Sequence, residues 1–203
     1  MSLAAIPYLL IAFRALAGLA AVLLAVLIGQ TAGFSCALLL AVGVLSDIFD
    51  GVIARRIGSA TERLRKFDSR ADLVFWSGLT VALLILHPNL SKDMLPLVGA
   101  LGALELGVHA ASVIRFGKEA SPHHILSKLF GLGLWALFTQ LFVTGRGGGV
   151  QLGVFALGVA SELEAMAITL LLPEWRCDVS TVWKALEFRK LSRHASGLET
   201  GVM

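Results

Sequence analysis

The chain has 203 residues, 57% of them hydrophobic and only 15% charged. Its mean hydropathy of +0.82 argues against an ordinary soluble domain of this length, which would be far more polar. The net charge of +3 suits a face turned toward anionic lipid better than a nucleic-acid partner.

Six apolar runs can be drawn, at residues 9–29, 34–53, 73–87, 94–114, 125–144 and 150–172. Most approach the roughly 20 residues that a helix needs to span a bilayer. The third is short as drawn and is expected to begin near Asp68. The reading is therefore an all-α integral membrane protein with six transmembrane helices in one domain, residues 1–172, and a partly amphipathic cytoplasmic tail, residues 173–203. The N-terminus has no basic residues before its apolar run, which reads as a first span rather than a cleavable leader. All of the 17 Lys and Arg residues except Lys92 and Arg146 fall on one side if the N-terminus is cytoplasmic. Both termini are then expected inside the cell (inner) membrane. Cys36 and Cys177 lie in different segments without metal-ligand spacing and read as free thiols.

The first span carries Arg14, which suits either contact with a phosphate near a site or snorkelling to the interface. The second span ends in Asp47 and Asp50, three residues apart, followed by Gly51 and Ala54 on the same helical stripe. A basic loop follows, with Arg56, Arg63, Arg65 and Lys66, a run that headgroup attraction alone explains. Asp68 and Asp72, four apart, then open the third span. Aspartates at a helix N-terminus are explained by capping and the dipole. Asp47 and Asp50 sit near a C-terminal end, where the dipole disfavours them. Four crowded carboxylates repel one another unless a cation lies among them, and hard cations such as Mg²⁺ suit oxygen ligands.

Asp47, Asp50, Gly51, Ala54, Arg55, Asp68 and Asp72 match in type and spacing the motif D-x2-D-G-x2-A-R-x8-G-x3-D-x3-D. In this the chain resembles the CDP-alcohol phosphatidyltransferases, membrane enzymes of phospholipid synthesis. The family's second glycine falls at Leu64, whose side chain is expected to crowd a nucleotide. On that ground Leu64→Gly is expected to preserve or improve affinity for a CDP-lipid. Pro7 and Arg14 also fit the family's first span, whereas Tyr8 and Ala12 depart from it. The resemblance implies two Mg²⁺ or Mn²⁺ ions held by Asp47, Asp50, Asp68 and Asp72, with Asp72 as general base. It implies that Gly51, Ala54 and Arg55 face the CDP moiety, that the active site lies on the cytoplasmic side, and that the protein is a homodimer.

The fourth span places Glu105, His109 and Ser112 on one face, with Arg115 at its end. Such a polar stripe lines a cavity or pairs with a neighbour. The next loop holds His123 and His124, read as surface histidines without zinc spacing. Lys128 resembles a lysine that many family members carry near the start of the fifth span. Arg115 and Lys128 are the candidate acceptor or phosphate-binding cations. Gly149 and Gly153 have GxxxG spacing, a helix-packing signal. Glu162 and Glu164 need a partner, a cavity or a proton. In the tail, Val182, Leu186, Phe188 and Leu191 beside Lys184, Arg189, Lys190 and Arg193 suit a helix lying on a membrane surface.

The expected reaction transfers a phosphatidyl group from CDP-diacylglycerol to an alcohol, with a lean toward a phosphorylated polyol such as glycerol 3-phosphate or an inositol phosphate, and releases CMP. The partners are those two substrates and the bilayer, with no nucleic acid. Two other readings stand beside it: a catalytically degenerate relative with a binding role, and a carboxylate-based membrane transporter.

Overall fold

A computed structural model describes residues 5–56, 62–120, 124–177 and 179–199. Side chains at 54, 55, 62, 63, 65, 66, 69 and 193–199 lie outside that description. Every regular element among the described residues is helical: α1 (Ile6–Ile28), α2 (Gly33–Arg56), α3 (Glu62–Leu86), α4 (Leu90–Phe116), α5 (Ile125–Thr144), α6 (Gly148–Leu171) and α7 (Val182–Glu199). A 3-10 turn, Gly29–Ala32, joins α1 to α2.

Local chemistry sets the ends. Pro7 lies in the first turn of α1, where its missing N–H costs nothing. Gly29, at φ 67°, ends α1 and returns its N–H to the Ala25 carbonyl. Gly117, also at φ 67°, ends α4 with its N–H 2.8 Å from the Val113 oxygen. A left-handed residue there satisfies a carbonyl that the helix would otherwise leave open, and only glycine adopts it freely.

Among the described residues four runs are long and apolar enough to cross a membrane: Ile6–Ile53, Leu90–Phe116, Ile125–Thr144 and Gly148–Leu171. The first of them contains both α1 and α2. The opening turns of α3 carry Glu62, Arg63, Arg65, Lys66, Asp68, Arg70 and Asp72 before its apolar stretch begins. Large apolar side chains are extensively exposed on these helices, among them Leu16, Leu23, Leu27, Phe34, Leu106 and Ile114. In water such a surface would aggregate; against lipid tails it costs nothing.

The chain divides into two compact units. The first comprises Met1–Lys92 and Trp135–Gly147. Within it α1 is the central helix, packed against both α2 and α3. Its buried face reads Pro7, Ile11, Arg14, Ala17, Gly18, Ala21 and Ala25, small except near its start and at Arg14. Small residues let helix backbones approach closely where lipid gives no hydrophobic drive to association. A Cβ on Gly18 would lie 2.6 Å from Phe75 Cα, and one on Gly78 would lie 2.6 Å from the Gly18 carbonyl carbon. Phe75, 1% exposed, begins an edge-to-face series through Trp76 and Phe138 to Phe142, with centroids 5.5, 5.4 and 6.3 Å apart. That series ties the second half of α5 to α3.

The second unit comprises Asp93–Leu134 and Gly148–Met203. Its apolar centre gathers Ile168 and Leu172 with Val179 and Ala185, against Phe116, Val182 and Phe188. Helix α7 is thus seated on the C-terminal end of α6. Among the described residues nothing lies within 4 Å of a Cβ at Gly149 or Gly153. A Cβ at Gly158 would face Phe130 at 2.7 Å and Leu101 at 3.0 Å.

Candidate metal centre

Three helices meet around one guanidinium. The C-terminal half of α2 supplies Asp47 and Asp50, the opening turns of α3 supply Asp68 and Asp72, and α1 supplies Arg14. Because each aspartate pair is spaced by three or four residues, its members share a face and turn inward together. Arg14 hydrogen-bonds Asp47 through Nη1 and Asp68 through Nη2. Its Nη1 also lies 3.6 Å from Asp50 Oδ2. Its Nε is 3.0 Å from Asp72 Oδ1, an ion pair without the alignment of a hydrogen bond.

The burial is graded. Arg14 is 0% exposed and Asp50 4%, whereas the side chains of Asp47, Asp68 and Asp72 keep 49%, 36% and 40% of their exposure. Arg14 therefore does not snorkel to the interface. Leaving a guanidinium buried and unpaired would be prohibitive, and the ring of carboxylates is what makes its position tenable.

One oxygen each from Asp47, Asp50 and Asp68 lies within 4.8 Å of the others, a spacing that a cation could bridge. Asp72 is not part of that trio. The residues fit a hard divalent cation on two grounds. The donors are all carboxylate oxygens, the ligands Mg²⁺ and Mn²⁺ prefer. Asp50 Oδ2 is buried without a hydrogen-bond partner, and four carboxylates against one guanidinium leave negative charge in excess.

Around this centre Gly51 is half-buried. Ala54 and Arg55, expected to face CDP, lie outside the residues whose side chains are described. Leu64 is 5% exposed and packs with Ile11 and Ala71 between α1 and α3.

The two expected phosphate-binding cations belong to the second unit. Arg115 donates through Nη2 to the Leu172 carbonyl at 2.9 Å and lies 5.3 Å from the Phe116 ring centroid. It thereby satisfies a carbonyl at the end of α6. Lys128 is exposed in the first turn of α5. The polar stripe of α4 divides. Ser112 is buried and donates to the Lys118 carbonyl at 2.8 Å. His109 Nδ1 lies 3.1 Å from the Glu105 carbonyl, and Glu162 is within electrostatic reach of both Glu105 and His109.

His124 departs from its expected place on the surface. It is 1% exposed, with Nε2 3.1 Å from both the carbonyl and the hydroxyl of Ser161 and 3.9 Å from Glu164 Oε2. Glu164 Oε1 in turn accepts the Val182 N–H at 3.4 Å, at the start of α7. His123 lies outside the described residues. Serine and glutamate both face the same ring nitrogen, so this is not a nucleophile–base–orienter relay. It is a polar tie among α5, α6 and α7.

Sequence reasoning missed the part played by Arg14. The signal was present: Pro7, Ile11, Arg14, Gly18, Ala21 and Ala25 recur at alternating steps of four and three, which places the arginine in the inward stripe.

A family-wide sequence profile described as CDP-alcohol phosphatidyltransferase matches residues 4–172. None of the curated proteins and none of the solved structures compared with the chain matches it.

Proposed function

The chain belongs to the CDP-alcohol phosphatidyltransferase family, and we propose that it transfers a phosphatidyl group from CDP-diacylglycerol to an alcohol, releasing CMP. The observation that carries the reading is the convergence of Asp47, Asp50 and Asp68 oxygens within 4.8 Å of one another, in a chain of this family. In this proposal Asp47, Asp50, Asp68 and Asp72 hold two Mg²⁺ or Mn²⁺ ions. When bound, such ions neutralise charge on the diphosphate and on the departing CMP.

The chain's own groups supply the rest. Asp72 accepts the proton of the acceptor hydroxyl as general base. It is suited to that role because it stands outside the three-carboxylate group and keeps an exposed edge. The hydroxyl oxygen bonds to the phosphorus that carries diacylglycerol, the bond from that phosphorus to the CMP oxygen breaks, and CMP leaves. Gly51, Ala54 and Arg55 contact the CDP moiety. Arg115 and Lys128 attract the phosphate of a phosphorylated acceptor such as glycerol 3-phosphate or inositol phosphate. Arg115 would exchange its bond to Leu172 for that role.

We further propose that α1–α6 all cross the inner membrane, with both termini and the aspartates on the cytoplasmic side, as the distribution of Lys and Arg favours. Residues 1–172 then form the catalytic domain of a homodimer, and residues 173–203 a tail whose α7 rests on the membrane surface. In α7, Trp183 and Leu191 are exposed at 76% and 67% beside exposed Lys184 and Arg189, a composition suited to that place.

The test is CMP release by the purified, reconstituted chain given CDP-diacylglycerol, Mg²⁺ or Mn²⁺, and a panel of alcohols. Release with one alcohol and its loss on chelation are expected. CDP-diacylglycerol that binds without CMP release with any alcohol would instead establish a degenerate binder. Leu64 at a family glycine position is the observation that favours that second reading.

A further inference from the structure

Arg14 is a guanidinium with no exposed surface, on a helix rich in Ala and Leu, and its contacts reach two other helices. All three of its nitrogens face carboxylates: Nη1 toward Asp47 and Asp50, Nη2 toward Asp68, and Nε toward Asp72. Asp47 and Asp68, the two it hydrogen-bonds, are also two of the three residues whose oxygens converge at ligand spacing. A divalent cation and Arg14 thus draw on the same side chains.

We propose that Arg14 is the resident counter-ion of this centre. It holds the carboxylates of α2 and α3 together before a divalent cation arrives, and yields Asp47 and Asp68 when one binds. The inference rests on the metal-centre reading above and adds a role for a residue outside the aspartate motif. Arg14 acts as a positioning residue. Its charge lets like-charged side chains gather without metal, and its link to α1 carries the state of the centre into the packing of three helices. Asp72 Oδ1, 3.0 Å from Nε and outside the converging trio, is the oxygen left to retain the guanidinium after exchange, which leaves the second oxygen of Asp72 for the role given above. The buried Asp50 Oδ2, without a hydrogen-bond partner, is the acceptor that exchange would satisfy. Removing the charge of Arg14 should therefore make the assembled centre depend on added cation, and should remove a competitor for it.

The experiment compares the full wild-type chain, Arg14→Gln and Arg14→Lys in nanodiscs. Melting is followed in EDTA and across a Mn²⁺ titration, and bound Mn²⁺ is counted by electron paramagnetic resonance. Arg14→Gln should melt below wild type in EDTA, gain more from Mn²⁺ than wild type does, and bind Mn²⁺ at least about tenfold more tightly, a coupling of ordinary size. Arg14→Lys, which keeps the charge but not the fork, should fall between them. Equal melting in EDTA, or Mn²⁺ affinity no greater than wild type, overturns the proposal. Should Arg14→Gln be recoverable only with Mn²⁺ present, the dependence is demonstrated directly. Should it be recoverable under neither condition, the same two comparisons between Arg14→Lys and wild type decide. CMP release by wild type forms a separate arm. An inactive wild type that still shows the exchange removes the transferase reading alone, and an active one without the exchange removes this inference alone.

Discussion

Replacing Gly18 by alanine puts a methyl group where α1 and α3 already touch backbone to backbone. The new Cβ would lie 2.6 Å from Phe75 Cα, 2.9 Å from the Phe75 oxygen and 3.0 Å from the Val74 oxygen. All three are main-chain atoms, so no side chain can rotate away. Carbon atoms rest about 3.5–4.0 Å apart, so the helices must separate by about 1 Å. Overpacking of this kind costs about 1–3 kcal/mol, and contact with backbone argues for the upper end. Alanine's better helix propensity returns up to about 1 kcal/mol. The net loss of about 2 kcal/mol should lower the melting temperature by about 4–8 °C in a chain of this size. A second effect follows from position. Gly18 lies one turn beyond Arg14 on the same buried face, and Phe75 lies three residues beyond Asp72. Separation at Gly18 therefore pulls the guanidinium from the aspartates. A misplacement of about 1 Å can cost about 100-fold in rate, so CMP release should fall by more than the loss of folded protein accounts for. Tryptophan fluorescence melting and CMP release in nanodiscs read the two effects. Gly99→Ala is the control, because among the described residues nothing lies within 4 Å of a Cβ there. A Gly18→Ala protein that melts and turns over like wild type would refute the close-crossing argument.

Three further outcomes are expected. Asp72→Asn should bring CMP release to background while leaving the protein folded and inserted, because three other carboxylates still face Arg14; normal turnover would remove Asp72 as base. Leu64→Gly should destabilise the fold. Truncating a buried leucine to alanine alone costs about 2–5 kcal/mol, and Leu64 packs on Ile11 and Ala71. Unchanged melting would refute the packing argument, and CDP-lipid titration separately tests whether the leucine crowds the nucleotide. His124→Ala should cost about 1–3 kcal/mol, the penalty for leaving buried polar partners unmet. Denaturant melts that show no loss would mean that water replaces the imidazole beside Ser161.

Much of the helical plan was legible from the residues. Runs of apolar residues broken by Gly, Pro and charge mark segments whose helical form is set locally, since each backbone group bonds within its own helix. The helices found run close to the expected spans, with α3 extended back through its charged turns to Glu62. The spacing of Asp47, Asp50, Asp68 and Asp72 likewise announced the gathering of carboxylates, because periodicity alone decides which residues share a face. One expectation failed for the complementary reason. His124 sits in a polar loop by sequence, yet Ser161, some 37 positions away, draws it inside. The packing of Leu64 was not legible either, because it depends on Ile11 across a helix crossing.

Sequence by itself determined an apolar, all-helical chain with acidic residues gathered near two helix ends, because composition and period are properties of neighbours along the chain. Only tertiary structure decided that Arg14 would lie among those acids and that Gly18 and Gly78 would let α1 reach them. A buried charge takes whichever partners the packing brings within a few ångströms, and those partners came here from two other helices.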